Sequence, residues 1–393
     1  MRVALFRELP LDFPGGVTHV MTLLIDYLVK NGHEVLLFVP DAGSISEYHG
    51  AEVFTIDSYQ LPLLKNTQFK LAKMDPQSVK KKLVDFNPDI VQVLHPVTLG
   101  LVGLSCANDL NIPVVCSYHT QYHLYLDYYK LSVFKPLLWW YTKWMFNKCA
   151  IALSPAESVA RMMRDGGIKN VHIWGRGADS NLFSPEHRST AWRKRFIKNP
   201  DEKIILYVGR LYKEKNLRRI VSTIKDLRNA QFVFIGDGPE REFLSSAIPD
   251  GKAHFTGRLT GKDLSTAFAS ADIFLFPSRT EGCPNSVMEA VSSGLPVVGV
   301  EAYGVSDIVT EGQCGYLYTH GDEGAILSLV QRLIDDDAIR SELSINARNY
   351  ALRKSWDTIM ESLIQNYQSV MSSAFSPKPT IIMSPAPAAI VDN

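Results

Sequence analysis

Hydrophobic positions along the chain fall into short apolar runs separated by stretches with helical spacing. Residues 3–6 and 35–39 are runs of strand length, and between them Val17, Val20, Met21, Leu24 and Leu28 mark one helical face. Runs 90–94 and 114–117 follow, each preceded by a turn holding Pro88 or Pro113, then 151–153 and 171–174. A second series begins after the polar stretch 179–199, with strands expected at 204–208, 232–235, 254–256, 273–276 and 296–300. Helical patterns lie between these, including 217–227 and 263–269. Apolar strands alternating with helices predict parallel sheets covered on both faces. The fold class is therefore α/β, with two Rossmann-like doubly wound domains facing a cleft, over 1–180 and 181–355. A last helical pattern covers 356–371, and the Pro-, Ser- and Ala-rich stretch 372–393 reads as a disordered tail.

The chemistry concentrates in Pro277-Ser278-Arg279-Thr280-Glu281-Gly282-Cys283-Pro284-Asn285-Ser286-Val287-Met288-Glu289-Ala290. An apolar run, 271–276, precedes this segment, and a helical pattern follows Asn285, which is placed to act as its N-cap after Pro284. A strand, a tight polar turn and a helix start present free N–H groups and a positive dipole end to an anion such as a phosphate. Glu281 and Glu289 would repel that phosphate, but they suit hydroxyl-rich groups on either side of it, a sugar and a ribose. This is the layout of a sugar-nucleotide site.

The segment resembles the donor-site motif of GT-B glycosyltransferases of family 4, in which two glutamates are separated by seven residues. Three more matches run in the order of that family: Gly15-Gly16-Val17, then Val208-Gly209-Arg210 with Lys213-Glu214-Lys215, then Gly236-Asp237-Gly238-Pro239. Ser117-Tyr118-His119-Thr120 and Trp174-Gly175-Arg176-Gly177-Ala178-Asp179 resemble the branch of sulfoquinovosyl-diacylglycerol synthases and actinobacterial α-mannosyltransferases that act on lipid acceptors. The turn Gly282-Cys283-Pro284-Asn285 departs from both groups. The resemblance spans residues 1–370. It implies a retaining transfer of a hexose from a nucleotide-diphosphate sugar to a hydroxyl acceptor, a lipid such as diacylglycerol, without a cofactor. It also implies that the 356–371 helix crosses back to the first domain. UDP is favoured over GDP by a narrow margin. A sugar phosphorylase and a non-catalytic sugar-nucleotide-binding protein are the alternatives.

On this reading Gly15, Gly16 and Gly209 let backbone approach the donor diphosphate, where a bland alternative is a flexible turn. Arg210 and Lys215 would stabilise charge growing on the leaving phosphate; the alternative is a solvated basic turn, which is how Lys213, Arg218 and Arg219 are read. By resemblance His119 contacts the donor sugar, positioning it rather than acting as a base; Gly236 and Gly238 shape the nucleotide pocket, and Arg258 and Leu259 border the base. Glu281 is assigned to sugar hydroxyls, Glu289 to ribose hydroxyls, and Asn285 and Ser286 to the helix start at the donor. His123 carries no such argument. No catalytic metal is expected, since the one cluster of aspartates, Asp335-Asp336-Asp337, reads as helix N-terminal acid.

Composition narrows the setting. The 393 residues are 46% hydrophobic and 21% charged, with 41 basic and 41 acidic side chains, so no global charge argues for nucleic acid. Five scattered cysteines lack metal-ligand spacing and suggest a reducing compartment. The first residues enter a strand directly, without a signal or transit peptide, and no apolar run approaches the roughly 18–20 residues of a membrane span, which suggests a cytoplasmic protein. Between 128 and 148, Phe134, Trp139, Trp140, Trp144 and Phe146 are mixed with Lys130, Lys135, Lys143 and Lys148. Such a segment suits peripheral contact with an anionic membrane, although aromatic stripes are more often core.

Overall fold

The computed structural model of the protein describes residues 1–11, 13, 15–59, 71–128 and 130–374. In chain order β1 (Arg2–Phe6), β2 (Glu34–Pro40), β3 (Glu47–Tyr48) and β4 (Ala51–Ile56) are followed by a separate antiparallel pair, β5 (Ser58–Tyr59) and β6 (Leu71–Ala72). Then come β7 (Ile90–Val93), β8 (Val114–Ser117), β9 (Ile151–Ser154) and β10 (Val171–Ile173). Leaving that pair aside, they form one sheet ordered β10-β9-β8-β7-β1-β2-β4-β3, parallel except where β3 meets β4. Its connections carry α1 (Gly16–Lys30), α2 (Pro76–Phe86), α3 (Thr98–Asp109), α4 (Tyr122–Tyr128), α5 (Lys135–Phe146) and α6 (Glu157–Asp165).

The second sheet holds β11 (Lys203–Val208), β12 (Ala230–Ile235), β13 (Ala253–Gly257), β14 (Ile273–Phe276), β15 (Val297–Val300) and β16 (Gly315–Tyr318), all parallel, in the order β13-β12-β11-β14-β15-β16. Around it lie α7 (Thr190–Arg193), α8 (Val221–Asp226), α9 (Glu240–Ala247), α10 (Gly261–Ser270), α11 (Asn285–Ser292), α12 (Glu323–Asp335) and α13 (Asp337–Leu352). The final helix, α14 (Trp356–Ala374), returns to the first sheet. There Met360, Leu363 and Tyr367 are buried with Val3, Leu5 and Leu24, and the Tyr367 hydroxyl donates to Gln92 on β7.

Apolar runs became strands because both faces of each sheet are covered. Val3, Ala4, Leu5 and Phe6 are all fully buried, alternating between two cores, as are Ile204, Ile205, Leu206 and Tyr207. Five strands among the described residues escape the sequence reading, of which β3, β5 and β6 are only two residues long. β4 has exposed Glu52 and half-buried Thr55, and β16 is a short strand at the end of its sheet. The 217–227 pattern is a 3₁₀ turn, Leu217–Ile220, leading into the short α8. Residues 372–374, read as the start of a tail, continue α14; the rest of that expectation, 375–393, lies outside the described residues.

Strand order sets where a ligand can sit. β1 has β2 on one side and β7 on the other, and β11 has β12 and β14. Connections leave in opposite directions from such a point and open a crevice beyond the carboxyl ends of the strands. The loops following β1, β7, β11 and β14 flank the two crevices.

Candidate active site

β11 and β14 are neighbours, so the loops that follow them lie side by side. The first turns at Gly209 and passes Arg210 into a 3₁₀ turn, Lys213–Lys215; the second carries Glu281. The Lys215 ammonium donates to Glu281 Oε1, with the two side chains 8% and 28% exposed. Burial opposes both charges, and each charge offsets that cost for the other. Burial disfavours the Lys215 ammonium, but the facing Glu281 carboxylate lifts its pKa above the usual lysine range. Burial pushes the Glu281 carboxyl upward, yet Lys215 and Arg210 together hold it below its ordinary value. Both groups stay ionised at neutral pH. Arg210 sits further out, donating to Glu214 at 3.3 Å with its guanidinium over the Tyr212 ring at 4.8 Å. Motif spacing assigns Lys215 to phosphate and Glu281 to sugar and carries no sign that the two touch.

The first sheet closes on this pair. Thr120, just beyond β8, forms an antiparallel bridge with Glu281, and Gln121 Nε2 donates to the Glu281 carbonyl at 2.7 Å. At the far end of α4 the Tyr128 hydroxyl donates to Asn216 Oδ1 at 3.2 Å. Another tie between the halves joins the Ser158 N–H on α6 to Asp307 Oδ1 at 2.8 Å. Asn285 is not the N-cap of α11. Pro284 holds that position, and Asn285, the first helical residue, donates from Nδ2 to Gly16 O at 3.4 Å across the cleft. As the first helical residue it lies past the capping position, and its Oδ1, the atom a cap would use, has no partner among the described residues. Ser286 follows it in α11, half-buried.

Gly15 and Gly16 are exposed at the start of α1, and a Cβ on Gly15 would meet nothing within 4 Å. These glycines leave space rather than satisfy a backbone demand. Gly236 differs: its φ is 137°, and a Cβ there would lie 1.9 Å from Gly209 O. It is needed to pack the β12 loop against the β11 loop, and Gly238 meets Leu211 O in the same way. Arg258, exposed, and Leu259, half-buried, follow β13, whose last residue accepts from Gly236 N–H at 2.9 Å. Glu289 lies in α11, where burial pushes its carboxyl up to about 7.

His119 follows β8 and Tyr118. Its Nδ1 accepts from Arg176 at 2.8 Å, and Trp174 stands edge-on to the ring at 5.5 Å. Burial, with Arg176 and His95 nearby, depresses its pKa well below the ordinary imidazole value. In the sequence Arg176 stands out only as part of a motif; its place between two glycines gives no hint that it reaches His119. His123 contacts Tyr118 and Trp139 instead.

Among the described residues no group of three or more His, Cys, Asp or Glu side chains is placed to hold a metal ion. Asp336 accepts from Ile339 N–H at 2.9 Å as the N-cap of α13.

α5 has two distinct faces. Met145 and Phe146 are buried and Trp139 donates to Gly166 O, whereas Leu137, Trp140 and Trp144 are exposed and continue from Val133, which is 79% exposed. A cavity of about 350 Å³ lies behind this helix, lined by His123, Lys135, Pro136, Trp139, Met162 and Gly166; none of these belongs to the Lys215–Glu281 cluster.

Residues 14–182 match the family Glycosyltransferase Family 4, and residues 188–350 match Glycosyl transferases group 1. The chain is 32% identical to a GDP-mannose-dependent alpha-mannosyltransferase of Corynebacterium glutamicum, over 95% of this chain and 90% of that protein. It is 31% identical to the sulfoquinovosyl transferase SQD2 of Arabidopsis thaliana, over 90% of this chain and 71% of that one. Sucrose-phosphate synthase from Thermosynechococcus elongatus superposes with a TM-score of 0.79 at 18% identity, covering 95% of this chain and 99% of that one. Two parallel-sheet α/β domains make this a GT-B architecture. With its domains, their order and the sequence matches in agreement, the chain belongs to glycosyltransferase family 4 and is a nucleotide-sugar glycosyltransferase.

Proposed function

We infer that the protein is a retaining, metal-independent hexosyltransferase that moves a hexose from a UDP-sugar to the hydroxyl of a membrane lipid such as diacylglycerol. One observation carries this reading. Lys215 is held, charged, against Glu281 at the paired loops of β11 and β14, with Thr120 and Gln121 of the other domain against that same turn. Lys215 and the rim guanidinium of Arg210 are two fixed cations for a leaving diphosphate, whose negative charge is greatest in the transition state. The N–H groups at the start of α11 add to them. Transfer with retention then needs no protein base: the departing phosphate oxygen takes the proton of the acceptor hydroxyl on the same face of the sugar. His119, with Nδ1 occupied by Arg176, suits a positioning contact to that sugar.

Cations in place of a metal lead to a direct expectation. Transfer should persist in excess EDTA; complete loss restored by manganese would overturn the metal-independent reading. The nucleotide is tested by thermal shift against UDP, GDP and ADP, because a ligand that binds only the folded form stabilises it by RT ln(1 + [L]/Kd). UDP should give the largest shift, and a larger one with GDP would reassign the base.

The acceptor reading draws support from the outer face of α5. Val133, Leu137, Trp140 and Trp144 recur at helical spacing on the exposed side, and Lys130 and Lys148 are exposed beside them. Apolar groups entering the headgroup boundary with lysines at anionic lipid are what an interfacial helix provides. The protein should sediment with anionic vesicles at low salt and be released at high salt. Trp140→Asp should abolish sedimentation while leaving nucleotide affinity intact. No binding at low salt would favour a soluble acceptor.

A further inference from the structure

Arg176 is 7% exposed, and among the described residues its hydrogen bonds go to no carboxylate. One guanidinium nitrogen donates to the carbonyls of Trp174 and Gly175 at 3.0 and 2.9 Å, fixing the group against its own loop. The guanidinium also lies over the Trp174 ring at 5.3 Å, and that ring packs edge-on against His119. The other terminal nitrogen meets His119 Nδ1 at 2.8 Å. A guanidinium has donors only, so Nδ1 must be the acceptor and the neutral ring must carry its proton on Nε2. Nε2 lies across the ring from Arg176; it is buried and, among the described residues, bonds to no protein atom. The His119 main chain is held too, between Tyr118 N–H donating to Leu153 O at 2.8 Å and the Thr120–Glu281 bridge.

We propose that Arg176 is a positioning residue for His119. It locks the imidazole in the Nε2–H tautomer and forbids a second proton, so that His119 meets the donor sugar as a fixed hydrogen-bond donor and never as an acid or base. This rests on the reading of His119 as a sugar contact. A doubly protonated ring could not accept from Arg176 and would set two cations face to face. The other titratable groups close by do not relieve this. His95 lies 6.5 Å away, ring to ring, and is itself kept neutral by burial and by Arg7. Cys283, beside Arg176, is kept a neutral thiol, its pKa pushed up to about 12 by burial.

The tautomer can be read without substrate, from the ring-nitrogen resonances of His119 in ¹⁵N-histidine-labelled full-length protein. Wild type should show the neutral Nε2–H form with no titration between about pH 5.5 and 8, across the ordinary imidazole range. The Nδ1–H form, or a titration in that window, would overturn the proposal. Arg176→Met removes the donor: the His119 resonances should then show the Nδ1–H form alongside Nε2–H, its pKa should rise while burial still holds it below the ordinary value, and kcat should fall about 10- to 100-fold. Arg176→Lys, which still presents only donors, should restore the single Nε2–H form and part of the rate. An Arg176→Met enzyme that folds and keeps wild-type kcat with the Nε2–H form alone would overturn the proposal. A wild-type kcat in His119→Ala would instead sink the sugar contact on which it rests, whatever the resonances show.

Discussion

Lys215→Met is expected to lower stability by about 3 kcal/mol and kcat by about 10²- to 10³-fold, whereas Lys215→Met/Glu281→Gln should recover most of the stability and none of the rate. Removing one member of a buried pair strands the other's charge, and Glu281, at 28% exposure, can rehydrate only in part. The cost should therefore fall at the lower end of the range for buried pairs. In the single variant the Glu281 carboxyl has lost its nearest cation, so its pKa should rise, with Arg210 left to oppose burial. In the parent protein that pKa is depressed. The pair's contribution is therefore complete above the unfolded carboxyl value near 4.5 and is lost as pH falls through the lower folded value. Denaturant unfolding of the three proteins, alongside single-turnover kinetics, separates the two roles. Unchanged stability in Lys215→Met would mean the pair contributes nothing to the fold, and a kcat within tenfold of wild type would remove Lys215 from phosphate stabilisation.

Most of the fold was legible because its strands are buried on both faces and read as unbroken apolar runs. β4 and β16 were not, since exposed or half-buried positions interrupt them and periodicity has little to act on in four to six residues. The site was legible as a set of loops and illegible as a set of contacts. Motif spacing placed Lys215 and Glu281 at the ends of β11 and β14, but only strand order, with those two adjacent, brings them together. Asn285 was assigned its commonest local role, and a carbonyl from the other domain took its side chain instead. Arg176 stayed hidden for a related reason: a buried arginine bonded to carbonyls and an imidazole has no charged partner that sequence could suggest. In the 128–148 segment the residue types fitted both core and membrane, and the structure separates them only by burial, with Trp139 turned inward and Trp140 exposed.

Glu281→Gln should lower kcat while leaving nucleoside-diphosphate affinity near wild type, and Glu289→Gln should do the reverse. A carboxylate accepting from hydroxyls makes charge-assisted bonds, and losing one costs about 1.5–3 kcal/mol. Ribose is unchanged by the reaction, so a bond to it is felt equally in the ground and transition states and appears in binding. The transferred ring gains positive charge at its anomeric carbon, so a carboxylate beside it acts mainly in the transition state. Arg210→Ala should damage both parameters. Glu289 adds a pH signature that Glu281 lacks. Its folded pKa, about 7, is raised from 4.5 by burial. The unliganded protein therefore loses stability as pH climbs from 4.5 toward 7, and the glutamine variant should not. Ribose hydroxyls bind best to the ionised form, whose population grows about tenfold between pH 6 and 8, so nucleotide binding should tighten by up to about that factor and release a proton. Calorimetry with the same nucleoside diphosphate across that range, on wild type and Glu289→Gln, cancels the ligand's own titration. Parallel pH dependence in the two proteins, or equal loss of nucleotide affinity in both glutamate variants, would show that Glu289 does not face the ribose.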